Sequence, residues 1–108
     1  MVDQAIVESV KKYLAKLSAA GVPISFGVIF GSYASGTANQ YSDIDLLIVS
    51  PQFDEAISRV AVNKLWRIAA RTDSRIEPVP CGYLQWQNDT SNAIIETARC
   101  QGQPVKAA

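Results

Sequence analysis

The chain has 108 residues, and its ten basic and ten acidic side chains give a formal net charge of zero, which indicates no bulk attraction to nucleic acid or to a membrane. Hydrophobic residues make up 48% and charged residues 19%, a balance that predicts one globular domain over residues 1–108 and excludes a disordered chain. No histidine is present, which excludes Ser-His-Asp and Cys-His nucleophile systems and removes the commonest zinc ligand.

The first half of the chain predicts a helix, two strands and a connecting loop. Apolar residues recur at helical spacing over Asp3–Ala20, and a Gly and a Pro follow as a stop. The short apolar run Ile24–Phe30 is rich in β-branched and aromatic side chains, which predicts a buried strand. Gly31–Ser42 is rich in Gly, Ser, Thr and Asn and predicts a loop with room for one helical turn. Asp43–Val49 predicts the second strand.

The second half predicts two helices around a short strand. After Pro51, Asp54 is expected to cap a long helix with one apolar face, formed by Ile57, Val60, Ala61, Leu65, Ile68 and Ala69. Arg75–Val79 predicts a third strand that lies at a sheet edge or ends early, because two prolines there lack an N–H donor. Asp89–Gln101 predicts the last helix, with Gly102 as its C-cap and an inward face of Ile94, Ile95 and Ala98.

The order α-β-(α)-β-α-β-α predicts an α/β or α+β fold in which helices pack on a small mixed sheet. Two cysteines, Cys81 and Cys100, lack CxxC spacing and are expected to be small buried side chains in a reducing compartment. We see no leader segment and no apolar run of the ~18 residues that a membrane span needs. These features predict a soluble, cytoplasmic protein.

The most informative residues are Asp43 and Asp45, which flank Ile44 in the second predicted strand. Residues i and i+2 of a strand lie on one face, so the two carboxylates are expected to point the same way. Two like charges aimed together are costly unless a cation lies between them, and Mg²⁺ suits hard oxygen ligands. The alternative is that the two aspartates only begin a strand and cap a turn.

A Gly-Ser pair, Gly31-Ser32, directly follows the first predicted strand. Glycine lets the backbone approach an anion closely, and successive N–H groups at such a turn can hold a phosphate. On its own this pair is typical of an ordinary turn. Ten residues separate it from the Asp-x-Asp strand, and together the two predict a phosphate cradle beside a metal site, which is typical of nucleotidyl transfer.

The stretch GSYASGTANQYSDIDLLIV resembles the motif of the DNA polymerase β-type nucleotidyltransferase superfamily. The short chain is similar to its minimal nucleotidyltransferase (MNT) branch, as in HEPN/MNT toxin–antitoxin pairs. Family members carry a third carboxylate on the next strand, and the matching residue here is Glu77, with Asp73 the lesser choice. The alternative for Glu77 is a surface residue on an edge strand.

The resemblance implies that Asp43, Asp45 and Glu77 hold metal, with two Mg²⁺ ions or Mn²⁺, and that Glu77 assists deprotonation of the attacking hydroxyl. It also implies that Gly31 and Ser32 bind the nucleotide, ATP. One departure matters, because Gly31–Ser42 contains no Lys or Arg to face a triphosphate, as many relatives have. Activity is then expected to be weak, or the cation comes from elsewhere, with Lys64, Arg67 and Arg71 as candidates that also suit a solvated helix face.

Three functions follow from the resemblance. The first is a protein adenylyltransferase that moves AMP from ATP to a hydroxyl on a partner protein, in the manner of an antitoxin. The second is a catalytically weak MNT binding module that neutralises a helical HEPN-type partner by contact. The third is one subunit of an enzyme that modifies a small molecule such as an aminoglycoside. A homodimer or a HEPN-type partner is expected, on a surface formed by Cys81–Trp86 and Asp89–Gln101.

Overall fold

The computed structural model describes residues 2–39 and 41–106, so residues 1, 107 and 108 of the predicted domain, and Gln40 of the predicted loop, lie outside the described residues. The four strands are β1 Phe26–Phe30, β2 Ile44–Ser50, β3 Ile76–Gly82 and β4 Gln103–Val105. The helices are α1 Gln4–Ala19, α2 Ser32–Ser35, α3 Gln52–Glu55, α4 Arg59–Thr72, α5 Tyr83–Asn88 and α6 Ala93–Gln101. None of these helices combines the length and the hydropathy that a membrane span requires.

The strands form one mixed sheet in the order β3-β2-β1-β4. Strand β1 is antiparallel to both of its neighbours, and β2 is parallel to β3. The predicted α+β fold with helices on a small mixed sheet is therefore confirmed. The structure adds one strand, β4, that the sequence pattern did not indicate.

Helix α1 begins where the sequence predicts. The Asp3 carboxylate accepts a hydrogen bond from the Ala5 N–H at 2.8 Å, which is the bond of an N-cap residue. The buried hydroxyl of Tyr13 donates to the Leu65 carbonyl at 2.8 Å and so joins α1 to α4, and burial raises the pKa of Tyr13. The two helices consequently lie side by side on one face of the sheet.

The sheet separates two apolar clusters, because alternate residues of a strand point to opposite faces. The larger cluster lies beneath α1 and α4 and includes Ile44, Leu46 and Ile48 of the central strand β2. The smaller cluster lies beneath α6 and includes Leu47 and Val49 of the same strand. All five of these side chains are fully buried. Strand β2 is thus fixed on both faces, which makes it a rigid support for the residues at its start.

Strand β3 is an edge strand, as predicted, but it does not end early. Pro78 and Pro80 are two residues apart, so their missing N–H groups fall on the same side of the strand. At an edge, one side of the strand has no partner, and prolines on that side remove no ladder bond. The strand therefore pairs with β2 along its whole length from Ile76 to Gly82.

The sequence predicts that the long helix begins at Asp54, and this predicted start is wrong. Asp54 lies inside the short helix α3, and α4 begins after Ser58, whose hydroxyl accepts from the Ala61 N–H at 3.1 Å. The Asp54 carboxylate instead accepts from the Leu84 and Gln85 N–H groups at 3.0 and 3.2 Å, at the start of α5. Two residues assigned to its apolar face are exposed, Ile57 before α4 and Val60 in the first turn of α4.

The last predicted helix, Asp89–Gln101, begins later than expected, at Ala93, and the sequence pattern did not indicate the short helix α5 that precedes it. The segment Asp89–Asn92 separates α5 from α6, and the Asn92 side chain caps α6 by accepting from the Ile94 and Ile95 N–H groups. Ile95 and Ala98 are buried as predicted, whereas Ile94 is exposed. Cys81 is buried but Cys100 is exposed, so the expectation of two buried cysteines is wrong for Cys100. The predicted C-cap Gly102 donates to the Ala98 carbonyl and leads directly into β4.

Candidate active site

The predicted site residues meet at one end of the sheet, where β1 ends and where β2 and β3 begin. Asp45 is the register partner of Phe30 in β1 and of Glu77 in β3. Gly31 directly follows Phe30, and Asp43 directly precedes the first residue of β2. Three segments that are distant in sequence therefore bring all the predicted site residues to one end of the sheet.

The three carboxylates are close enough to perturb one another. Burial raises the pKa of Asp45 and the charge of Asp43 raises it further, while a hydrogen bond with Glu77 opposes this shift. Burial is also the largest cause that raises the pKa of Glu77, followed by the charge of Asp43 and contacts with both aspartates. Asp43 is exposed and the other two are half-buried. A proton is therefore held more tightly in this cluster than on an isolated carboxyl group, and a bound cation would relieve the repulsion.

Gly31 allows the backbone to pass close to Asp45. Its φ of 73° and ψ of −145° lie in a region that is essentially restricted to glycine. A β-carbon at this position would lie 3.1 Å from the Asp45 Cγ, and it would overlap Oδ2. The next residues, Ser32 and Tyr33, begin α2, and their N–H groups are among the donors that a helix start leaves without an intrahelical partner.

Carboxylate oxygens are hard ligands that suit Mg²⁺ or Mn²⁺, and three carboxylate groups lie together here. Within residues 2–39 and 41–106, however, no group of three His, Cys, Asp or Glu side chains is arranged to hold a metal ion by itself. Mg²⁺ in phosphate-transfer sites is commonly held by one or two carboxylates together with substrate phosphate oxygens. The residues therefore fit an ion that binds together with a phosphate-bearing substrate.

The Gly31–Ser42 loop contains no Lys or Arg of its own, but a cation directly before β3, Arg75, contacts it. Arg75 was not among the candidate cations that the sequence indicated. The Arg75 Nη1 lies 3.4 Å from the hydroxyl of Tyr33 in α2. Its Nε and Nη2 donate to the two carboxylate oxygens of Asp73 at 3.0 and 2.7 Å. This pairing lowers the pKa of Asp73, so the lesser choice for a third carboxylate is engaged with Arg75. The sequence did not indicate this contact of Arg75, because the contact depends on the parallel pairing of β2 with β3. That pairing brings Arg75 beside the start of β2.

The three cations considered from the sequence lie elsewhere. The Lys64 ammonium donates to the Ala20 carbonyl at 2.5 Å. Arg67 and Arg71 line a groove of about 450 Å³ between α1 and α4, together with Lys16. None of the three carboxylates lines this groove. The groove is therefore a separate basic surface.

Comparisons with known proteins identify a family and a fold. Residues 7–100 match the family model for the nucleotidyltransferase domain. A crystal structure of a toxin–antitoxin with AMP-PNP is similar in fold, with a TM-score of 0.62 and 22% identity over 91% of this chain and 73% of that one. Two mutant MntA-HpeT toxin–antitoxin structures each give a TM-score of 0.59, at 19% and 23% identity; the matches cover 91% and 90% of this chain and 73% and 72% of theirs. No significant match was found among curated protein sequences.

Proposed function

This chain belongs to the nucleotidyltransferase domain family, and we propose that it moves AMP from ATP to a hydroxyl group on a partner protein in a metal-dependent reaction. The observation that supports this most directly is the meeting of Gly31 with the Asp43, Asp45 and Glu77 carboxylates at one end of the sheet. A close backbone approach next to clustered carboxylates suits a substrate that carries both phosphates and a metal ion.

In the proposed site Asp43, Asp45 and Glu77 hold Mg²⁺, with two ions the expected number and Mn²⁺ an alternative. When bound, two such ions would stabilise charge on the attacking and the leaving oxygen. Gly31 and Ser32 supply the backbone surface along which the triphosphate lies. The remaining work of the protein is positioning, because phosphoryl-type transfer requires little covalent chemistry from side chains.

The proposed reaction is a substitution at the α-phosphorus of ATP. The acceptor oxygen forms a bond to this phosphorus, and the bond from the phosphorus to the oxygen that bridges to the β-phosphate breaks. Pyrophosphate leaves with the electron pair of that bond, and the hydroxyl proton passes to Glu77. The position of Glu77 supports this role, because it is the register partner of Asp45 on the neighbouring strand β3.

The acceptor is proposed to lie on a helical partner protein of the HEPN type, and to be a Tyr, Ser or Thr hydroxyl. The structural neighbours are toxin–antitoxin assemblies, one of them with AMP-PNP, which supports an antitoxin role for this chain. The proposed contact surface is the predicted one, Cys81–Trp86 with Asp89–Gln101, where Tyr83, Leu84 and Ile94 are 37%, 58% and 47% exposed. Large apolar side chains that are exposed on these two helices support an interaction site there.

Co-expression with the protein encoded beside this chain tests the transfer reaction. Intact-mass spectrometry of the partner should detect one or more added AMP units with the wild type and none with Asp43→Asn or Asp45→Asn. Glu55→Gln is a matched control, because it removes one negative charge from an exposed position in α3. A stable complex with an unmodified partner would contradict the enzymatic proposal.

That result would favour the second candidate, a binding module that acts by contact alone. The absence of Lys and Arg from Gly31–Ser42 is the observation that favours it. Calorimetry with Mg²⁺ and a non-hydrolysable ATP analogue separates the two functions without a partner. The enzyme should bind the ion weakly alone and more tightly with the analogue, and Asp43→Asn/Asp45→Asn should abolish this gain. Equal binding by wild type and variant would show that the metal site is wrongly assigned.

A further inference from the structure

Arg75 makes contacts with two segments that carry site residues. Its guanidinium is anchored on Asp73 by two hydrogen bonds, and the remaining nitrogen, Nη1, faces the Tyr33 hydroxyl in α2 at 3.4 Å. Its backbone carbonyl accepts from the Ile44 N–H at 2.7 Å. Ile44 lies between Asp43 and Asp45. One residue therefore contacts both the segment that follows Gly31 and the strand that carries the aspartates.

Helix α2 has few other means of holding its position. It has four residues, no buried side chain and no side-chain hydrogen bond at its N-cap, Gly31. Tyr33 is the residue that ties it down, because its ring packs against the larger apolar cluster and its hydroxyl contacts Arg75 and the Asn39 carbonyl. A four-residue helix contributes little stability of its own, so such contacts set its position.

We propose that Arg75 is a positioning residue that keeps α2, and with it Gly31 and Ser32, at a fixed distance from Asp43 and Asp45. This inference rests on the proposed function for its catalytic consequence, whereas the tether itself is a property of the fold. Because Asp73 holds two nitrogens of the guanidinium, the orientation of the third, Nη1, is already fixed. Little side-chain freedom is therefore lost when Nη1 contacts Tyr33. A lysine at this position has no planar fork and would lose one of the two contacts.

Hydrogen exchange of the α2 amides tests the tether directly and requires no activity. Tyr33→Phe removes one hydroxyl and keeps the packed ring, and Arg75→Gln removes the guanidinium. Each should speed exchange of the Ala34 and Ser35 amides, which donate to the Gly31 carbonyl, by about two- to tenfold, the range that one net hydrogen bond provides. Arg99→Gln is the matched control, because Arg99 also makes several bonds, to Glu96 and to the Trp86 and Asp89 carbonyls, but none to α2.

Exchange in α2 that is unchanged in both variants, or accelerated equally by Arg99→Gln, would overturn the proposal. If Arg75→Gln fails to fold, Arg75→Lys replaces it in the comparison with Tyr33→Phe, because Tyr33→Phe alone also removes the bond to the Asn39 carbonyl. Arg75→Gln should speed exchange less in the Tyr33→Phe background than in the wild type, because the contact between Arg75 and Tyr33 is already absent there, while the lost bond to the Asn39 carbonyl is common to both members of that comparison.

Steady-state kinetics tests the catalytic consequence. Arg75→Gln and Tyr33→Phe should raise the KM for ATP by about two- to tenfold and leave kcat within about twofold, because the nucleotide loop contributes equally to binding in the ground and transition states. Arg75→Lys should lie between wild type and Arg75→Gln. Faster exchange in α2 with an unchanged KM would overturn the positioning role. An inactive wild type would refute the proposed function, and the exchange data would still decide the tether.

Discussion

Gly31→Ala is expected to destabilise the fold through its overlap with Asp45, and the structure permits a numerical expectation. The backbone angles of Gly31 cost another residue about 1–3 kcal/mol. Overlap of the new methyl group with the Asp45 carboxylate adds about 1–3 kcal/mol, the usual cost of overpacking. The sum of about 2–6 kcal/mol should lower the Tm by at least about 8 °C, since 1 kcal/mol shifts the Tm of a domain of this size by about 4 °C or more.

Two comparisons isolate the overlap from the backbone strain. Gly36 also has a positive φ, of 80°, but a β-carbon there meets no atom within 4 Å, so Gly36→Ala should cost only about 1–2 kcal/mol. Asp45→Ala removes the overlapping atoms and leaves the Asp45 Cβ at 3.4 Å, an ordinary contact. Gly31→Ala should therefore be less harmful by about 1–3 kcal/mol in the Asp45→Ala background than in the wild type.

The assay is urea and thermal unfolding of the four proteins of this cycle and of Gly36→Ala, followed by circular dichroism without added metal. A coupling energy near zero would show that Asp45 does not approach Gly31 in solution. The same conclusion would follow if Gly31→Ala were no more destabilising than Gly36→Ala. Either result would refute the close approach on which the phosphate-binding surface depends.

Three further predictions concern charge and thiol chemistry. Asp45→Asn should leave the metal-free protein at least as stable as the wild type while abolishing transfer, because it removes a charge from a repelling cluster; a clear fall in Tm would instead identify a structural aspartate. A thiol reagent should label Cys100 rapidly and Cys81 only after unfolding, because burial raises the pKa of Cys81 to about 11, and two reactive thiols in the native state would contradict this. Arg75 lowers the pKa of Asp73, so this carboxylate stabilises the fold above its unfolded pKa of about 4 and ceases to do so as the pH falls through the lower folded value. The difference in unfolding free energy between wild type and Asp73→Asn should therefore shrink below about pH 4. A difference that is independent of pH would refute the pairing.

The parts of the fold that local patterns determine were predictable from the sequence. Helix α1 begins at a capping aspartate and carries an apolar stripe, and β1 and β2 are short apolar runs that follow breaks. The Gly-Ser pair directly follows β1, which is antiparallel to the strand β2 of the Asp-x-Asp motif, so the register that pairs Phe30 with Asp45 brings the two together. Their roles in nucleotide and metal binding remain predictions.

The parts that depend on distant partners were not predictable. Asp54 has the local features of a helix cap, but its partners at Leu84 and Gln85 lie about thirty residues further along the chain. Gly82 permits this contact, since a β-carbon there would lie 2.6 Å from the Asp54 Cγ. Arg75 likewise shows its contact with Tyr33 only once β3 is known to pair in parallel beside β2.

The pairing of β4 with β1 has a consequence for the order in which the molecule folds. Gly27 pairs with Val105, so most of the described chain, from β1 onward, lies between the two partners. Contacts of such high sequence separation form late, because the entropy of closing the loop is lost before the contact stabilises anything. Until β4 is in place, one edge of β1 is left with unpaired N–H and C=O groups, and such an edge can pair with another chain. We therefore expect aggregation during refolding to cease once the three-residue strand Gln103–Val105 pairs with β1.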